Sequence, residues 1–198
     1  YYPAISMTTI EAKRQQVIDY LFGGSLPATL PLRDGERLAI DLPYGFQSQA
    51  RLLFPDQLSD TLVIYHAGHG GNQQERDITP ALLSAGYTVV VMDMPLHGMN
   101  EGVVTVELDG SILPISSHDH LAYLTGGMAI FVQPVIAVVN WAVTQGYQDI
   151  YMIGLSGGGW TTIMAAAVDS RIDVSYPVAG RVPSGMRSMS KSVAIGFL

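Results

Sequence analysis

The chain has 198 residues, 48% of them hydrophobic and 14% charged. That balance excludes a mainly disordered chain, and the length suits one domain of about 100–200 residues. Ten Lys and Arg against 17 Asp and Glu give a net charge of −7, and no basic face is visible, which argues against a nucleic-acid partner.

Cysteine is absent, which excludes disulfides, thiolate zinc sites and cysteine nucleophiles. The start, Tyr1-Tyr2-Pro3, lacks an initiator Met and reads as processed or truncated. Composition leaves the compartment open between cytoplasmic and exported. Residues 9–22 place Val17, Ile18, Leu21 and Phe22 at helical spacing and end at Gly23-Gly24, predicting a short amphipathic helix. Residues 37–42 and 47–54 read as strands either side of Pro43-Tyr44-Gly45. Residues 61–65 are a continuous apolar run, followed by the glycine-rich loop His66-Ala67-Gly68-His69-Gly70-Gly71 and a helix over 75–84. Residues 87–92 form the next β-branched run and lead into Asp93-Met94-Pro95-Leu96-His97-Gly98.

Residues 99–126 are irregular and cap-like, with a short hairpin at 103–112. A long helix follows over 127–145, closed by Gly146. Its apolar stretch, 128–143, is interrupted by Gln133, Pro134 and Asn140 and is short of the about 20 residues a bilayer span needs, so it reads as a buried helix. Then come a strand at 149–153, a turn, a helix at 160–168 and a final strand within 172–178. Strands apolar on both faces that alternate with helices predict an α/β domain over residues 1–198, a mostly parallel sheet with helices on both faces.

The sharpest chemical signal is Gly154-Leu155-Ser156-Gly157-Gly158, which matches G-x-S-x-G between a buried strand and a helix. A serine at such a turn presents its hydroxyl at a helix N-terminus, where the N–H of Gly157 can donate to a developing oxyanion. Two other uses of this turn stay open: a phosphate cradle, although no lysine stands nearby and the spacing fits no phosphate fingerprint, and a turn whose glycines serve close packing.

With the His66–Gly71 loop behind one strand, the D-x-P-x-H-G segment behind the next and the serine turn behind a third, residues 37–180 resemble the α/β-hydrolase superfamily. The resemblance implies a serine hydrolase with Ser156 as nucleophile and the backbone N–H groups of His69 and Gly157 as oxyanion donors. The expected substrate is a small-molecule carboxylic ester, and no metal or organic cofactor is implied. His66 is expected to brace its loop. Metal binding by His66 and His69 is weakly supported, for no third ligand lies nearby in sequence. His97 is given a structural place at the pocket rim, and His118-Asp119-His120 reads as solvated loop. Met94, Met99 and Trp160 could line an apolar pocket or belong to the core.

The sequence departs from the family in one respect. The triad of this superfamily runs Ser, acid, His along the chain. After Ser156 the acids are Asp169 and Asp173, and all five histidines (His66, His69, His97, His118, His120) precede it. Residues from 181 onward read as loop with an apolar end at 193–198, not as further βα units. A serine without a base falls far short of an efficient esterase. The expectation is a hydrolase truncated after its sixth strand, whose catalytic His and acid lie in sequence beyond this chain. The alternatives are a histidine upstream of Ser156 serving as the base, and a non-catalytic binding module of the same fold. Were the chain complete, the exposed sheet edge would favour a homo-oligomer.

Overall fold

In the computed structural model, residues 7–70 and 73–180 are described, with side chains from Thr9 and, in the second segment, from Ile78. Gly71, the start at Tyr1-Tyr2-Pro3, and the expected loop and apolar end from residue 181 lie outside the described residues.

The elements in chain order are α1 (Met7–Phe22), β1 (Leu32–Asp34), β2 (Arg37–Asp41), β3 (Gln47–Leu53), β4 (Thr61–His66), α2 (Gln73–Ser84), β5 (Thr88–Met92), β6 (Val104–Leu108), β7 (Ser111–Ile115), α3 (Ala129–Gln145), β8 (Asp149–Leu155), α4 (Gly157–Val168) and β9 (Val174–Val178). Seven strands make one sheet in the order β1-β2-β3-β5-β4-β8-β9. The first three join it antiparallel, and β5, β4, β8 and β9 run parallel. Parallel strands need covered faces, and every residue of β4 and β5 is buried.

The alternation of side chains divides the core in two. Leu62, Ile64, Val90, Met92, Ile150 and Met152 belong to one cluster with Ile18 and Leu21 of α1, much of α3, and Ala165 and Val168 of α4. Tyr65, Val89 and Val91 belong to the other, against Ile78, Leu82 and Leu83 of α2. Helices therefore cover both faces of the sheet.

Helix α3 is apolar nearly all round because it is buried nearly all round. No helix among the described residues is long and apolar enough to cross a membrane. Asn140, a polar residue in its second half, is fully employed: its Nδ2 donates to the carbonyls of Pro27 and Thr29 at 2.9 Å each, and its Oδ1 accepts from Arg171 Nη2 at 2.8 Å. The helix ends where Gly146 turns left-handed at φ 88.

Several boundaries differ from the sequence reading. Strand β1 was not expected; it is three exposed residues paired to β2 across Gly35-Glu36. Strand β8 runs on to Leu155, and α4 begins at Gly157 rather than at 160. The glycines there form the first helical turn, not a loop. The hairpin extends to Ile115, closed by Asp109-Gly110 with both φ angles positive (50 and 75), as a tight two-residue turn requires.

Candidate active site

Strands β4, β5 and β8 lie side by side in parallel, so the loops after them open at one end of the sheet. Ligands of open α/β sheets bind at this carboxyl end. The loop after β8 is a single residue, Ser156. It is exposed, and its backbone sits at φ 54, ψ −116, a conformation that L-residues avoid. Two backbone bonds hold it there: the Ser156 N–H donates to the Val178 carbonyl of β9 at 2.8 Å, and the Ser156 carbonyl accepts from Trp160 at 3.0 Å.

The surrounding glycines are required by space. A Cβ on Gly154 would overlap the Gly158 carbonyl and Thr162 Oγ1, and one on Gly158 would overlap the His66 carbonyl. A Cβ on Gly68 would stand 2.5 Å from the Leu155 carbonyl oxygen and 3.4 Å from the Gly157 nitrogen. The β4 loop and the β8 turn are thus interlocked, each glycine meeting the other's backbone. This brings the backbone around His69 beside Gly157.

His66 is buried, and its Nδ1–H donates to the Ala67 carbonyl at 3.0 Å, bracing the loop as expected. Burial, opposed by that hydrogen bond, lowers its pKa to about 4. His69 is exposed, and its ring lies over Gly157: Cε1 and Nδ1 are 2.9 and 3.0 Å from where a Gly157 Cβ would stand. Partial burial and the neighbouring His97 hold its pKa below the ordinary histidine value.

The histidines differ most from the sequence reading. His118 is no solvated loop residue: it is half-buried, its ring is edge-on to Phe131 at 4.9 Å, and its Nε2–H donates to the Pro95 carbonyl at 2.6 Å. That leaves Nδ1 as an acceptor, 3.0 Å from His69 Nε2. Burial lowers the His118 pKa, against the Pro95 bond and with the help of His69 and His97. His97 completes a triangle. One ring nitrogen from each of His69, His97 and His118 falls within 4.8 Å of the others. His120 stands apart, stacked on Tyr123 with its Nδ1 accepting the Ser116 N–H at 3.3 Å. No local signal could have found the triangle, because its members come from three separate loops.

The turn that presents His97 is firmly tied. Buried Asp93 accepts the Met99 N–H at 2.8 Å, and Asn100 Nδ2 donates to the carbonyls of Asp93 and Met94 at 3.0 and 3.2 Å. Met94 is core, its Cε beside Gly157 and its Sδ 4.0 Å from Thr161 Oγ1. Met99 packs with the α2-side cluster, and Trp160 stands edge-on to Phe131 at 5.7 Å. Both acids after Ser156 are engaged structurally. Asp169 grips Arg171 through both oxygens at 2.9 and 2.6 Å, and Asp173 Oδ2 caps the Ile150 N–H at 2.9 Å.

No protein-family model and no curated protein matches the chain. Solved structures do. A candidate acetyl xylan esterase from Bacteroides fragilis is similar over 88% of this chain and 55% of its own, with 19% identity and a TM-score of 0.63. Est1E from Butyrivibrio proteoclasticus, solved with ferulic acid bound, is similar over 70% of this chain and 51% of its own, with 27% identity and a TM-score of 0.51. The chain spans about half the length of these structures. Its fold is that of the α/β-hydrolases, as the three loop motifs implied.

Proposed function

We propose that this chain carries the nucleophile and the oxyanion donors of a serine hydrolase that cleaves small-molecule carboxylic esters. The observation that carries the reading is Ser156, an exposed serine held at φ 54 on the N-terminus of α4 with the β4 loop locked against it. Strain kept on a non-glycine residue points to a functional constraint. The likeness to Est1E, solved with a carboxylic acid bound, supports ester chemistry.

In this reading Ser156 Oγ attacks the ester carbonyl carbon while a base takes its proton. The electron pair moves onto the carbonyl oxygen, which accepts hydrogen bonds from the N–H groups of Gly157 and His69. Collapse expels the alcohol with that proton, and water then releases the acid and restores the serine. The superfamily's chain order places the base and its acid after the nucleophile. Asp169 and Asp173 are committed elsewhere, to Arg171 and to the Ile150 N–H, so neither is assigned as the acid.

Intact mass after treatment with a fluorophosphonate tests the reading. A single adduct, absent from Ser156→Ala, is expected. An unmodified Ser156 would return the turn to the binding-module reading.

A further inference from the structure

The imidazole rings of the three-histidine triangle are given no part in the acyl chemistry above, which uses only the backbone N–H of His69. We propose that His69, His97 and His118 form a binding site for a divalent transition-metal cation of the zinc class, directly beside the Ser156 turn.

Geometry carries the inference. The three ring centroids form a near-equilateral triangle of 4.9, 4.9 and 4.8 Å, with interplanar angles of 78°, 63° and 69°. Three imidazoles around a tetrahedral zinc, with Zn–N near 2.0–2.1 Å, put their centroids about 5 Å apart in the same propeller. The ring nitrogens already lie within 4.8 Å of one another, and His69 Nε2 and His118 Nδ1 are 3.0 Å apart.

The surroundings match those of a ligand set. His118 donates its remote N–H to the Pro95 carbonyl, which fixes the tautomer and aims the Nδ1 lone pair into the triangle, the usual arrangement behind a metal-bound histidine. His97 is presented by the turn that Asp93 and Asn100 tie down, with Leu96 held at φ 60. In the metal-free protein the His69 Nε2–H donates to His118 Nδ1. Metal binding displaces that proton, which solvent returns to Nδ1 of the exposed His69 ring. Three neutral nitrogen donors suit zinc, copper or nickel and not magnesium or calcium, and a fourth position remains for water or an oxygen ligand. In sequence His69 has only His66 close by and no third ligand; in the fold His66 is buried and turned to Ala67, and His97 and His118 stand beside His69 instead.

Equilibrium dialysis of the purified protein against zinc chloride, followed by metal analysis, tests the site. One equivalent per chain is expected. Affinity should fall by about 100-fold or more in His97→Gln and in His118→Ala, and stay unchanged in His120→Ala. Because His118→Ala could unfold, imidazole nitrogen NMR of the unaltered protein gives a second reading: zinc should shift His69 Nε2 and His118 Nδ1 together. No retained zinc, equal retention in His97→Gln, or an unperturbed His69–His118 hydrogen bond in the presence of zinc would each overturn the proposal and leave a hydrogen-bonded relay. None of these readouts depends on acylation of Ser156, so the site stands or falls apart from the esterase reading.

Discussion

The two glycine-rich turns at the ends of β4 and β8 look alike in sequence and are built on different principles. After β8 the unusual backbone angle falls on Ser156, while Gly154, Gly157, Gly158 and Gly159 adopt ordinary angles and serve only to leave room. After β4 no described residue is at positive φ; Gly68 leaves room for the neighbouring turn, and the polar groups of His66 hold the loop. Elsewhere the logic is reversed: Gly146 needs its angle and has nothing within 4 Å of a built Cβ. A glycine can thus mark a spatial or a dihedral demand, and at this site the demand is spatial.

That contrast can be broken by substitution. The largest effect is expected on chemistry: Ser156→Ala should lower ester turnover by about 10⁵-fold or more, and retention of most of the rate in a steady-state assay would remove Ser156 from its role. Among stability effects, Gly154→Ala should cost about 3 kcal/mol or more in denaturant unfolding, because the overlap is with backbone and with a buried threonine.

The His66 brace should cost a similar amount in acid. Its folded pKa is about 4 against 6.5 in the unfolded chain, so the unfolded state binds more protons in that window. Stability should fall as pH drops from 6.5 towards 4, by about 3 kcal/mol in all. The fall should flatten in His66→Asn; an identical profile in that variant would place the acid sensitivity elsewhere.

Smaller changes separate angle from space. Ser156→Gly relieves the strained φ without adding bulk and should raise stability by about 1 kcal/mol while abolishing labelling. Gly146→Ala should lower stability by about 1 kcal/mol through its angle alone. If Gly146→Ala proved as damaging as Gly154→Ala, the division into spatial and dihedral glycines would fail.

What could be read from the sequence was whatever a short window contains. The apolar runs of β4 and β5, the five residues around Ser156 and the Gly146 stop are local, and the resemblance placed them in one fold. The first turn of α4 was misread because glycine is a poor helix former, and its propensity there yields to the close approach of His66 and Ala67. Strand β1 escaped because three exposed residues show no periodicity; the Asp34-Gly35 pair was its only mark. The histidine triangle could not be read at all. His97 and His118 have ordinary loop neighbours, and their meeting with His69 is set by sheet order and by where Pro95 and Phe131 hold the His118 ring.

The bond from the Ser156 amide to the Val178 carbonyl has a dynamic consequence. Strand β9 pairs with β8 alone among the described residues and leaves Tyr176 and Val178 half-exposed, so a local opening of β9 is a separation from β8. Each such opening releases the tether that keeps Ser156 at its unfavourable angle and lets the turn relax. The backbone angle of Ser156 is therefore coupled to the pairing of β9, and amide exchange at Ser156 reports the opening of β9 from β8.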